Sequence, residues 1–85
     1  MDARRLVAMA NDIGDFFAAT PDAAEASSGI ATHIRKFWAP RMRRELYAHI
    51  DAHAGQGLKP LVLQALSEHR AALVPAVETA AAGSR

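Results

Sequence analysis

Four prolines, at Pro21, Pro40, Pro60 and Pro75, divide the sequence into short segments. Proline disfavours helical geometry in the residue before it but suits the first turn of a new helix, so the first three can each open a helix. The segments carry large apolar residues at intervals of three, four and seven, the spacing of one helical face. None shows the alternating β-branched pattern of strands. The sequence therefore predicts an all-α fold, a small bundle of about four helices.

Capping signals suggest where these helices begin and end. The first is predicted over residues 2–19, and the second begins after either Thr20 or Asp22 as its N-cap. The third runs over residues 40–54 and is closed by a Gly-Gln-Gly loop that supplies left-handed backbone. The fourth begins at Pro60 and continues past residue 70 without a visible break. Together they form one predicted domain over residues 1–74.

The predicted core consists of the apolar residues, with one histidine, that share a helical face. These are Leu6, Met9, Ala10, Ile13, Phe16 and Phe17; then Ala23, Ala26, Ile30, Ile34 and Phe37, with Trp38 beside them; then Met42, Leu46 and Ile50; and finally Val62, Leu66, His69 and Leu73. Such a core is thin for 85 residues, because much of the apolar content is alanine. Small domains of this kind usually need a disulfide, a metal or a partner surface.

Two further features of the C-terminal half bear on partners and order. The fourth helix carries Leu61, Leu63 and Val74 outside its apolar stripe, and this surplus predicts an interface, either with a larger protein or with a second copy of the chain. Residues 75–85 are rich in alanine but have almost nothing large to bury, so they are predicted to form a flexible tail.

The composition excludes several kinds of chemistry. There is no cysteine, so disulfides, iron–sulfur ligation, thiolate zinc sites and a thiol nucleophile are ruled out. There is no Gly-rich phosphate loop and no nucleophile motif, and the pair His49 and His53 alone is a weak metal signal. We therefore predict no catalytic, cofactor-binding or metal-ligating residue. No run approaches a membrane span and the N-terminus does not resemble a secretory signal, which predicts a cytoplasmic protein.

Charged and aromatic side chains are most concentrated in residues 33–44, where cations and aromatic residues are interleaved. One interpretation is a protein docking patch, because arginine and aromatic residues dominate interface hot spots. Its predicted members are Trp38, Pro40, Arg41, Arg43 and Arg44, with Leu63 and Val74 as a second contact. Another interpretation is a small nucleic-acid-binding or regulatory protein that uses the basic segment Arg35–Arg44, although the net charge of +1 argues against it. In the plainest interpretation, Phe37 and Trp38 pack in the core and the arginines are simply solvated.

The string HIRKFWAPRMRREL resembles the central signature of the NAD-dependent formate dehydrogenase delta-subunit family. LVAMANDIGDFF is similar to the opening of that family and GLKPLVLQAL to its closing element, so the resemblance spans about residues 5–66. One departure is Ala39, where many relatives are expected to carry an acidic residue that would cap the third helix.

The resemblance implies an accessory subunit without catalytic residues of its own. The complex would oxidise formate to carbon dioxide and pass the electrons to NAD. A molybdenum or tungsten pterin, iron–sulfur clusters and FMN would lie in the other subunits, which would be the partners of this chain. The chain would support assembly, maturation or stability by docking on the catalytic subunit. A narrower variant is that its arginines contact the pyrophosphate of the pterin dinucleotide.

Overall fold

The computed structural model describes residues 2–74, which form five helices and no strand. They are α1 (Ala3–Phe17), α2 (Ala23–Phe37), α3 (Pro40–His53), α4 (Pro60–Glu68) and the single turn α5 (Arg70–Leu73). The predicted all-α bundle of about four helices is confirmed, with α5 as a short addition. The predicted tail, residues 75–85, lies outside the described residues.

Aspartate side chains cap the first two helices as their sequence suggests. Asp2 accepts a hydrogen bond from the backbone N–H of Arg4 at 3.0 Å. Asp22 accepts from the N–H groups of Ala24 at 2.8 Å and Glu25 at 3.3 Å, so Asp22 and not Thr20 is the N-cap of α2. Each carboxylate satisfies N–H groups that have no partner within the helix.

Prolines open α3 and α4. Pro40 and Pro60 are the first residues of these helices, and the preceding Ala39 and Lys59 are extended, with ψ of 150° and 151°. Neither of these two residues makes a side-chain capping bond. Because a residue before proline avoids helical geometry, the chain changes direction directly before each of these helices. This makes residues 37–40 the sharp corner between α2 and α3.

The loop between α3 and α4 is held by left-handed backbone and by α1. Ala54 closes α3 with φ of 55°, and Gly55 and Gly57 follow with φ of 69° and 92°. Asn11 of α1 donates from Nδ2 to the carbonyl oxygen of Gly57 at 2.9 Å and accepts the N–H of Lys59 at 2.9 Å. One amide side chain thereby fixes both ends of the short segment that leads into α4.

A single hydrophobic core lies between the helices. Helix α2 packs against α1 and α4, and α1 also contacts α3 and α4. The large side chains that are fully buried are Leu6, Ile30, Ile34, Leu46, Val62, Leu66 and Leu73, all of which the apolar periodicity predicts. Two buried polar groups are satisfied across helices: Ser27 donates to Glu68 at 2.8 Å, and the phenol of Tyr47 donates to the carbonyl oxygen of Leu66 at 2.8 Å.

Three predicted core positions are wrong. Phe16 and Phe37 are 76% and 71% exposed, and Ala23 is exposed as well. All three lie at or next to a helix end, where the other helices of residues 2–74 do not cover them. Trp38 is only 6% exposed, because the extended backbone that follows α2 (φ −95°, ψ 135°) turns its ring into the core.

The predicted fourth helix is interrupted. Helix α4 ends at Glu68, and His69, with φ of −106° and ψ of 20°, separates it from α5. His69 is half-buried, whereas the next predicted core residue, Leu73, is fully buried. The break therefore changes the direction of the chain but keeps Leu73 in the core, where α5 packs against α2.

Candidate docking site

Five cations surround the turn between α2 and α3, and we refer to Arg35, Lys36, Arg41, Arg43 and Arg44 as the basic corner. Arg35 and Lys36 are exposed in the last turn of α2. Arg41 is exposed in the first turn of α3, and Arg43 and Arg44 behind it are half-buried. Because residues 37–40 form a tight corner, the chain concentrates these charges at one end of the bundle.

Most of this charge is not neutralised by ion pairs within residues 2–74. The ion pairs within residues 2–74 join Arg4 to Asp2, Lys59 to Asp15 and Arg70 to Asp51. None of these pairs involves the basic corner. Guanidinium groups suit bidentate binding of carboxylates and phosphates. The corner can therefore receive an anionic group from another molecule.

Arg43 is the exception within the basic corner. Its Nη1 donates to the carbonyl oxygen of Leu73, the last residue of α5, at 3.2 Å. Its Nε is buried and has no hydrogen-bond acceptor among residues 2–74. Arg43 thus caps a helix C-terminus and ties α3 to α5. Of the three arginines in the predicted docking patch, Arg41 and Arg44 have no such internal partner among the described residues.

The other predicted residues of the patch differ in how far they are exposed. Pro40 is exposed at the start of α3, whereas the ring of Trp38 is buried in the core. A groove of about 620 Å³ opens beside Pro40. Among the described residues it is lined by Ala39, Pro40, Arg41, Met42, Arg44 and Glu45. Two arginines beside this groove place positive charge next to space for an apolar side chain.

The surplus apolar residues of the fourth predicted helix are packed within the chain. Leu61 and Val74 lie against the core cluster, and Leu63 is half-buried. A Cβ atom built on Gly55 would lie 2.8 Å from Cδ1 of Leu63, so this leucine covers the loop glycine. Leu63 and Val74 consequently offer less apolar surface than the sequence suggests.

The two histidines of α3, His49 and His53, lie close together. The rings of His49 and His53 are 5.4 Å apart, and Nε2 of His49 donates to the carbonyl oxygen of Gln56 at 2.8 Å. Within residues 2–74 there is no group of three His, Cys, Asp or Glu side chains that could hold an ion. In the same range, no helix is both long and apolar enough to cross a membrane.

Sequence reasoning missed a second surface feature, the aromatic groove. This groove of about 480 Å³ runs along α2 and is lined by Phe17, Glu25, Ser28, Gly29, Thr32, His33, Lys36 and Phe37. The rings of His33 and Phe37 are 4.8 Å apart, and Phe17 of α1 lies over Gly29. The periodicity of α2 placed Phe37 in the core, so only the exposure of Phe37 in the structure reveals this groove.

Comparison with protein-family models gives a match to the NADH-dependent formate dehydrogenase delta subunit FdsD, over residues 5–66. No curated protein and no solved structure matches the chain. The matched range includes α1 without its first two residues, the whole of α2 and α3, and most of α4. It also includes the whole basic corner. Since this range exceeds half of the sequence, the chain belongs to the formate dehydrogenase delta-subunit family.

Proposed function

We propose that this chain is a non-catalytic subunit that docks on the catalytic subunit of an NAD-dependent formate dehydrogenase through its basic corner. Membership of the delta-subunit family supports a place in such a complex. The observation that carries the docking proposal is that Arg41 and Arg44 flank an open groove without an ion-pair partner among residues 2–74.

The chemistry of the corner suggests what the partner offers. Arginine is enriched at interface hot spots, and a carboxylate in a partner groove can accept two parallel hydrogen bonds from one guanidinium group. We therefore expect acidic side chains on the catalytic subunit opposite Arg41 and Arg44. An apolar side chain beside them would enter the groove next to Pro40 and Met42.

Docking would support assembly, maturation or stability of the complex in the cytoplasm. The reaction, from formate and NAD to carbon dioxide and NADH, would take place on the other subunits. Iron–sulfur clusters in proteins are held mainly by cysteine thiolates, and this chain has no cysteine. The clusters are therefore expected outside this chain, and membership of the delta-subunit family implies the same for the molybdenum or tungsten pterin and FMN.

The test is charge reversal of the corner in the assembled complex. The variant R41E/R44E is produced together with the other subunits, and its co-purification with the catalytic subunit and the rate of NADH formation from formate are measured. A matched control is R4E/R5E, which makes the same change of charge at the exposed start of α1, where acidic residues suit the helix dipole. We expect R41E/R44E to weaken docking at least about tenfold, about 1.4 kcal/mol.

The outcomes separate docking from folding. Fluorescence of Trp38, which is buried in the core, reports whether each variant is folded. A folded R41E/R44E chain that co-purifies as well as the control and leaves formate oxidation unchanged contradicts the proposal. Loss of docking in R41E/R44E, but not in R4E/R5E, supports it.

A further inference from the structure

The aromatic groove carries opposite charges at its two ends, so its charge pattern is complementary to that of a second, antiparallel copy of the same groove. Glu25 lies at one end and Lys36 at the other, and both side chains are exposed. They are eleven residues apart, about 16 Å along the helix at 1.5 Å per residue. Neither side chain forms an ion pair within residues 2–74. The groove therefore presents one negative and one positive end, with apolar surface between them.

From this pattern we infer that the aromatic groove is the contact surface between two copies of this chain. The two α2 helices lie antiparallel across a twofold axis. Glu25 of each copy then faces Lys36 of the other, and the axis passes between Gly29 and Thr32. A twofold contact uses the same patch on both copies, so one patch must carry both halves of every pair. The groove meets this requirement with the charges at its two ends.

Three further features fit an antiparallel second α2 helix in the groove. The antiparallel arrangement places the positive N-terminal end of each α2 beside the negative C-terminal end of the other. Gly29 has no side chain, so the ring of Phe17 lies over it and forms part of the apolar surface beside the axis. Phe37, 71% exposed in the single chain, would be covered by the start of the other α2. Exposed apolar surface of this kind marks interaction sites.

This inference shares one residue with the proposed function, because Lys36 belongs to both the basic corner and the aromatic groove, whereas Arg41 and Arg44 lie outside that groove. The aromatic groove and the groove at Pro40 have no lining residue in common among the described residues. It also revises the expectation that self-association uses the fourth predicted helix, because Leu61 and Val74 of that helix pack on the core, whereas the ring of Phe37 does not.

Charge variants test the pairing directly. The variant E25K places lysine opposite Lys36 at both ends of the dimer, and K36E places glutamate opposite Glu25 at both ends. Each variant alone should dimerise about tenfold more weakly than the unaltered chain, since two exposed attractive pairs become repulsive. An equal mixture should dimerise again, because a mixed dimer has a lysine facing a glutamate at both ends.

Sedimentation equilibrium of the full chain, from micromolar to millimolar concentration, measures these affinities. We expect the unaltered chain and the mixture to approach twice the mass of one chain, and each variant alone to remain lighter at the same concentration. Raising the salt concentration should weaken the unaltered dimer and strengthen self-association of each variant, because salt screens exposed charges. The mixture makes the test independent of any loss of helix stability in a single variant.

A second pair of variants tests the apolar part of the contact. F37S should weaken the dimer, whereas F16S should not, because Phe16 is equally exposed but does not line the groove. A chain that stays monomeric at millimolar concentration overturns the inference. So does a mixture of E25K and K36E that fails to associate where the unaltered chain does, or an equal effect of F37S and F16S.

Discussion

The phenol of Tyr47 should resist ionisation in the folded chain. Its side chain is buried, and its hydroxyl donates to the carbonyl oxygen of Leu66 at 2.8 Å. Burial raises the pKa of Tyr47 to about 12, although the positive charges of Arg70, 4.9 Å from the ring centre, and of Arg43 act in the opposite direction. Tyr47 is the single tyrosine of the sequence, so its titration can be assigned without ambiguity.

The shift predicts a loss of stability at alkaline pH. An unfolded tyrosine has a pKa of about 10, so the unfolded chain releases the phenol proton before the folded chain does. The contribution is fully present below pH about 10 and is lost as pH rises towards 12. Two pKa units at 1.36 kcal/mol each correspond to a decrease of roughly 2–3 kcal/mol in the free energy of unfolding.

Two measurements check this prediction. Ultraviolet absorbance gives the pKa of the phenol in the folded chain, and urea unfolding followed by Trp38 fluorescence gives the free energy of unfolding at each pH. The matched control is Tyr47→Phe, which keeps the lysines that also titrate in this range. The control should be about 1–2 kcal/mol less stable at neutral pH, because the carbonyl of Leu66 loses its donor, yet it should lose less stability above pH 10. The reasoning is refuted if Tyr47 titrates near pH 10 in the folded chain, or if both chains lose stability equally.

Two further substitutions test how α1 is held against the rest of the bundle. Gly14→Ala should lower the free energy of unfolding by about 1–2 kcal/mol despite the better helix propensity of alanine, because the added methyl would collide with the buried side chain of Val62. In a chain that already carries Val62→Ala, the same substitution should cost less. An unchanged cost would contradict the steric explanation. Asn11→Ala should lower the free energy of unfolding by about 1–2 kcal/mol, because it removes two hydrogen bonds to the α3–α4 loop. The control Asp12→Ala, at an exposed neighbouring position, should be nearly neutral in the same urea titrations. Equal effects of the two substitutions would contradict the role of Asn11.

Helix starts could be predicted from the sequence because their causes are local. Asp22 accepts the N–H groups of residues two and three positions later, and Pro40 acts on the residue directly before it. Central apolar positions such as Ile30 and Leu46 were also predictable, because in the middle of a helix a periodic stripe faces the neighbouring helices along its whole length.

The errors fall where burial depends on distant parts of the chain. Periodicity treats a helix as buried along one whole face, but Phe16 and Phe37, at the C-terminal ends of α1 and α2, are exposed. Tyr47 was missed because the acceptor of its buried hydroxyl, the carbonyl oxygen of Leu66, lies nineteen residues away in the sequence. The break at His69 has no proline or glycine to mark it.

The corner shows why an outward and an inward aromatic residue can be neighbours in sequence. Phe37 ends α2 in helical geometry and remains outside, whereas the extended backbone at Trp38 turns the next ring into the core. Anchored in this way, the chain reverses and directs Arg41 towards the groove at Pro40, while Lys36 and Phe37 line the groove along α2. Because Arg41 and Arg44 lie outside the aromatic groove and Glu25 lies outside the basic corner, R41E/R44E should weaken docking without affecting the dimer, and E25K should weaken the dimer without affecting docking. Either proposal can therefore fail while the other stands.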